Sequence, residues 1–294
     1  AVLTNISRDH LDFHRDMRAY AEAKSRLFYF DSVRTAIVNV GDELGRELAA
    51  TLEQASAASV VRYALDNPAA DLYATDVEYS LGGIRAMVHT PNGTGRLSLA
   101  MMGSFNLSNA LASLAVLLAA GFDLQPALKA LGRVAPVAGR MQVIKSNKMT
   151  VLIDFAHTPD ALQQVLQSLR AHTSGKVICV FGCGGDRDRG KRAEMGRVAR
   201  RVADRIVLTS DNPRSEPAAQ IIDDILLGIT DMSGVSIEPD RAAAIALALH
   251  GAVRGDVVLI AGKGHERYQE IAGVRHPFFD ADVVKDIVAE GEQC

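Results

Sequence analysis

Beyond residue 150 the chain alternates between two spacings of apolar side chains. Short apolar runs, VLIDFA from Val151, VICVF from Val177, RIVLTS from Arg205 and VVLIAG from Val257, read as strands. Between them lie stretches with apolar residues every three or four positions, Leu162 to Leu169, Met195 to Val202 and Ile221 to Leu227, which read as helices. Apolar strands separated by amphipathic helices predict a mostly parallel sheet covered on its faces, a Rossmann-like α/β domain. The earlier part reads differently: Thr35 to Val40 is a strand, residues 70 to 100 hold short strands with turns at Gly-Gly and Asn-Gly, and Ser104 to Ala120 is a helix rich in small residues. The segment RVAPVAGRM, Arg133 to Met141, breaks the pattern with Pro and Gly and sets a domain boundary near Ala138, giving 1–138 and 139–294.

Four loops follow strands of the second domain and so share the carboxyl edge of its sheet, where open α/β folds bind ligands. They are DFAHTPD (Asp154 to Asp160), GCGGDRDRGKR (Gly182 to Arg192), SDNPRSEP (Ser210 to Pro217) and AGKGHE (Ala261 to Glu266). In the first, Thr158, Pro159 and Asp160 form a helix start, which leaves Asp154 and His157 without a capping task. In the third, Ser215 is placed to cap the next helix, leaving Asn212 and Arg214 to face a ligand. The second keeps the spacing G-x-x-x-x-G-K-[S/T] of a phosphate-cradling loop from Gly185, but ends in Arg192. Asp186 and Asp188 would repel phosphate and Arg192 offers no metal ligand, so the loop suits a carboxylate better than a triphosphate; alone, it would read as an ordinary charged turn. Arg187, Arg214 and Glu266 together suit a zwitterion carrying carboxylates and an amine.

Nearer the start, HRDMRAYAEAKSRLF places Met17, Tyr20, Ala21, Leu27 and Phe28 on one helical face with Lys24 in its middle. A lysine there must snorkel, pair with an acid, or be chemically changed. Just before it, His10, Asp12 and His14 stand close enough for metal ligation, although such a cluster is more often structural.

Composition narrows the class. The 294 residues are 48% hydrophobic with a net charge of −3, the profile of a globular protein with room for two domains and no basic surplus for nucleic acid. The apolar run around Leu111 to Ala120 is too short to span a bilayer, so no membrane insertion is expected. Cys179, Cys183 and Cys294 are irregularly spaced, which suits a reducing compartment, the cytoplasm, and gives no zinc pattern. The chain begins at Ala1, without Met, inside a polar motif, as though cut from something longer.

Eight motifs in order, TNISRDHLDFH, AEAK, GSFNLSNALA, GRMQ, DFAHTPDAL, FGCGGDRDRGKR, SDNPR and AGKGHE, resemble those of the Mur ligases, and within them the members that add meso-diaminopimelate. The resemblance runs over the whole chain and implies the later part of the central ATP-binding domain followed by the C-terminal amino-acid-binding domain. It implies a cytoplasmic, ATP- and Mg²⁺-dependent, amide-forming ligase of peptidoglycan synthesis, a monomer, whose partners are meso-diaminopimelate and UDP-N-acetylmuramoyl-L-alanyl-D-glutamate. Residue by residue, Lys24 matches a lysine that the family carbamylates to help hold magnesium, and His10 a ligand of that ion. Asn106, Asn109, Arg140, Asp154 and His157 match nucleotide contacts. Arg187, Asp211, Asn212, Pro213, Arg214, Gly262 and Glu266 match the diaminopimelate site. The family's G-T-N-G-K-T-T-like phosphate loop and N-terminal uridine-binding domain are missing from the sequence, so the chain is expected to be a fragment inactive by itself. The alternatives are a non-catalytic amino-acid-binding module, or a related amide ligase such as folylpolyglutamate synthase or cyanophycin synthetase; against these relatives stands the DNPR box.

Overall fold

The computed structural model describes residues 1–55, 57–80 and 82–292. Contacts divide the chain into two compact units, one ending at Ala135 and the other beginning at Pro136. Cys294 lies outside the described residues.

The first unit holds two small sheets. Strands β1 (Val2–Leu3), β2 (Thr35–Asn39) and β3 (Ser59–Tyr63) pair in parallel, in that order. Helix α1 (Met17–Ser25), capped by Asp16, and a 3₁₀ turn (Arg26–Tyr29) lie between β1 and β2; α2 (Glu43–Ala55) links β2 to β3. Strands β4 (Tyr73–Ser80), β5 (Gly83–Thr90) and β6 (Gly93–Leu99) form an antiparallel meander. Helices α3 (Ser104–Ala119) and α4 (Leu124–Leu131) bury Leu107, Leu111, Leu114 and Leu128 in one core with Ile84, Val88, Leu97 and Leu99.

The second unit is a three-layer α/β body. Its six strands are β7 (Gln142–Lys145), β8 (Thr150–Asp154), β9 (Val177–Phe181), β10 (Arg205–Leu208), β11 (Val235–Ile237) and β12 (Val257–Ala261). Their order across the sheet is β11-β10-β9-β12-β8-β7, parallel except for the edge strand β7, which pairs antiparallel with β8. Strands β9 and β12 are buried at every residue, because helices cover both faces. Helices α8 (Arg241–His250) and α9 (Asp280–Glu292) pack Ala244, Ile245, Ala248 and Val284 against Val151, Ile153, Val180 and Ile260. Helices α5 (Pro159–His172), α6 (Gly190–Val202) and α7 (Ala218–Leu226) form the other layer, burying Leu162, Leu166, Met195 and Ile221. A hairpin, β13 (Tyr268–Ile271) and β14 (Val274–Pro277), follows β12.

Candidate functional site

Because β12 sits between β8 and β9, the loops after β8, β9, β10 and β12 meet at one edge of the sheet. Close backbone approach joins them. A Cβ at Gly185 would stand 1.9 Å from the Pro213 carbonyl oxygen, so only glycine lets the loop after β9 touch the loop after β10. Gly262 has φ 113°, and a Cβ there would meet Asp211 Oδ2 at 2.5 Å.

In the loop after β10, the Asn212 Nδ2 donates to Glu266 Oε2 at 2.8 Å. Its Oδ1 accepts from the Lys263 ammonium at 3.0 Å and from the Glu270 backbone N–H at 2.9 Å. Arg214 has a left-handed backbone, φ 53°, held on both sides: its N–H donates to the Glu270 carbonyl and its carbonyl accepts from the Ala272 N–H. Its guanidinium donates to the Gly185 carbonyl at 2.7 Å, and Glu270 Oε2 stands 3.9 Å from its Nε. Arg187 is exposed and folds back on the carbonyl of Asp186; Arg187 and Arg214 flank Gly184, whose Cβ would lie 3.8 Å from Arg187 Cγ and 3.0 Å from an Arg214 nitrogen. Asp211 is buried, and that burial pushes its carboxyl up while Arg241 and Lys263 pull it back. Pro213 is buried between these residues in sequence, and its carbonyl accepts from the Glu216 N–H.

The near-match to a phosphate loop is a structural clasp. Arg192, at the position of the expected Ser or Thr, is fully buried. It donates to both oxygens of Glu216, to Asp224 and to the Gly184 carbonyl. Glu216 also accepts from the Asp186 N–H, and the Asp186 carboxylate takes the Ser215 hydroxyl and N–H. The sequence expectation for Ser215 is therefore corrected: its hydroxyl bridges two loops, and α7 starts after Pro217 with no side-chain cap.

This clasp makes a prediction about acid. Arg192 holds the Glu216 carboxyl down to about 2 from an ordinary 4.5, so its contribution is complete above 4.5 and is lost as pH falls toward 2. Urea unfolding should therefore show Glu216→Gln less stable than the parent at neutral pH, with the gap closing on acidification through that window. A gap independent of pH would assign the loss to shape and not to the ion pair.

Of the nucleotide residues matched in this unit, Arg140, His157 and Asp154 gather around Phe155. The Arg140 guanidinium lies 4.6 Å from that ring, the His157 ring 4.6 Å and the His265 ring 5.3 Å. Asp154 does have a structural task, contrary to expectation. Its two oxygens accept the backbone N–H groups of Met141 and Ala156, each at 2.8 Å, and burial pushes its carboxyl up against those bonds. The Thr158 cap on α5 forms as the sequence indicates, its hydroxyl accepting from Ala161.

In the first unit, Asn106 and Asn109 stand on the first turns of α3. Asn106 donates to the Met102 carbonyl at 2.7 Å; Asn109 is exposed. Lys24 is exposed, the snorkelling alternative, and the apolar stripe is narrower than the sequence indicates: Leu27 is exposed and only Tyr20 and Phe28 are buried. The helix ends at Ser25 and tightens to a 3₁₀ turn, so the 3.6-residue phase is lost before Leu27. His10 and Lys24 both border Tyr20, the ring of His10 at 5.6 Å and the Lys24 ammonium at 5.5 Å from its centre. Among the described residues no three His, Cys, Asp or Glu side chains are grouped to hold a metal ion. An ammonium and one imidazole do not fit magnesium, which demands several oxygens.

Sequence reasoning missed the buried, paired roles of Lys263 and Arg192, and the pair Arg241–Asp280 altogether. Arg241 and Asp280 are fully buried partners at 2.7 Å, and Arg241 also donates to the carbonyls of Ser210 and Ala261, where two site loops begin. A lysine set between glycines directly after an all-buried strand was the available signal for Lys263.

Comparison with known proteins gives this edge a context. Residues 1–117 match the Mur ligase middle domain and residues 139–264 match the Mur ligase, glutamate ligase domain. The chain belongs to the Mur ligase family. Among curated Mur ligases it is 46% identical over 293 residues to the UDP-N-acetylmuramoyl-L-alanyl-D-glutamate--2,6-diaminopimelate ligase of Pseudomonas aeruginosa, covering 99% of this chain and 60% of that protein. The protein of the same name from Neisseria meningitidis serogroup B is 44% identical over 288 residues, 97% of this chain and 58% of that one. A solved structure of a ligase of that name, 42% identical, superposes with TM-score 0.63 over 99% of this chain and 60% of the other. The Mur ligase MurF from Acinetobacter baumannii, at 19% identity, covers 98% of this chain and 59% of its own with TM-score 0.75, a likeness of fold alone. The chain thus spans about three-fifths of the length of the curated Mur ligases it matches.

Proposed function

We propose that this Mur ligase chain belongs to an ATP-dependent, amide-forming enzyme of peptidoglycan synthesis that adds meso-diaminopimelate to UDP-N-acetylmuramoyl-L-alanyl-D-glutamate. The observation that carries the reading is the meeting of the loops after β9, β10 and β12 at one sheet edge: Arg187 and Arg214 flank Gly184, and Asn212, in the same loop as Arg214, donates to Glu266. Guanidinium takes carboxylate bidentately, and Glu266 supplies the acceptor an ammonium needs. Diaminopimelate carries an amino-acid group at each end and so offers both.

The chemistry proposed is activation of the D-glutamate carboxyl as an acyl phosphate, followed by attack of the diaminopimelate amine, with loss of phosphate. This edge would hold the amino acid so that its free amine is presented without search. Arg140, Asp154 and His157 around Phe155, with Asn106 and Asn109 on α3, are proposed for the nucleotide. Magnesium would supply charge neutralisation at the phosphates. His10 and Lys24 are proposed to meet it only once Lys24 has become a carbamate, and no step here depends on them. The whole is proposed to act in the cytoplasm as a monomer; no helix among the described residues is long and apolar enough to cross a membrane.

Calorimetric melting of the chain tests the amino-acid site directly. Saturating meso-diaminopimelate is expected to raise the melting temperature of the second unit, since ligand at a hundred times its Kd stabilises by about 2.7 kcal/mol. L-Lysine at the same concentration should shift it less, lacking the second carboxylate. No shift with either amino acid would defeat the assignment.

A further inference from the structure

Lys263 is fully buried at the centre of the amino-acid edge. Its ammonium contacts Asn212 Oδ1 at 3.0 Å and Glu266 Oε2 at 3.1 Å, and lies 5.7 Å from the centre of the Tyr268 ring. An ammonium has only donors, so it fixes the Asn212 amide with Oδ1 toward itself and Nδ2 toward Glu266. Both acceptor sites of Oδ1 are then used, by Lys263 and by the Glu270 N–H. Nδ2 has given one hydrogen to Glu266 Oε2, and among the described residues no hydrogen bond reaches Glu266 Oε1. One amide hydrogen of the buried Asn212 and one carboxylate oxygen of Glu266, which keeps 22% of its side chain open, are left for a ligand.

Charge completes the pattern. Arg241 cancels Asp280, Arg214 and Arg275 both face Glu270, and Lys263 cancels Glu266; Asp211 is buried, and that burial opposes its ionisation, while Arg187 is exposed. Without Lys263 the Asn212–Glu266 pair would carry a negative charge and attract any bare cation. With it, a ligand must bring an anion for the amide hydrogen and a cation for Oε1.

We infer that Lys263 is a specificity-determining residue: the buried neutral trio Lys263–Asn212–Glu266 selects an α-amino-acid centre, carboxylate with ammonium, over a plain diamine. The inference rests on the amino-acid site proposed above.

Titration calorimetry of the chain with meso-diaminopimelate and with 1,5-diaminopentane, which has the ammonium groups but no carboxylate, tests it. Lys263→Met is expected to weaken meso-diaminopimelate about 30-fold or more, as for loss of a buried charged partner, while 1,5-diaminopentane binds as well or better. Lys263→Gln, which keeps a donor without the charge and guards against a folding defect in the first variant, should shift the ratio of the two affinities in the same direction. Equal weakening of both ligands, or an unchanged ratio, overturns the role of Lys263 while leaving the site in place. A parent chain that binds neither ligand overturns the site and Lys263 together.

Discussion

Arg214→Ala should lose about 2–4 kcal/mol of affinity for meso-diaminopimelate, roughly a 30- to 700-fold rise in Kd, the range for removing a charged partner from a desolvated contact. The guanidinium is already steered by the Gly185 carbonyl and Glu270, so it meets a carboxylate without searching for a conformation. L-Lysine lacks the carboxylate at its side-chain end and should lose much less. The measurement is the Kd of each amino acid for parent and variant, with the melting temperature alongside, because the variant also loses the guanidinium bond to the Gly185 carbonyl. Equal losses for both amino acids would mean that Arg214 supports the loop and does not read the ligand.

Arg241→Met should be the most damaging single change in the second unit, lowering stability by about 3–5 kcal/mol. It leaves the Asp280 carboxylate buried without its cation and removes donors from the Ser210 and Ala261 carbonyls. The double variant Arg241→Met/Asp280→Leu should recover most of that loss, since an apolar pair of similar volume avoids the stranded charge. Urea unfolding followed by circular dichroism checks both. A loss below about 1 kcal/mol for the single variant would show that water reaches Asp280 and replaces the arginine.

The sequence carried the sheet and its loops well and the charged interior poorly, for a physical reason. Runs such as VICVF and VVLIA are apolar at every position because both faces of the sheet are covered, and that pattern is local. The partner of a buried charge is not local: Arg241 meets Asp280 across 39 positions, and Arg192 meets Glu216 across 24. No spacing rule joins such pairs. Leu27 left the helical stripe because the α-helix gives way to a 3₁₀ turn after Ser25, while Lys24, still inside the helix, is exposed beside Tyr20 as snorkelling requires. Asp154 looked spare only because its hydrogen-bond donors, the N–H groups of Met141 and Ala156, carry no mark in the sequence. The change of register between Arg133 and Met141, read as a boundary near Ala138, stands beside a division of contacts at Pro136.

Arg214 is bridged to Ile271 of the hairpin, bonding Glu270 in β13 and Ala272 in the turn after it, while Glu270 also donates its N–H to Asn212 Oδ1. The DNPR box is therefore not a cassette. Grafting residues 210–217 into a ligase with another amino acid preference would deliver an arginine without the strand that aims it. A working exchange must carry residues 262–277 with it, although 44 residues of helix, strand and loop separate the two segments in the chain.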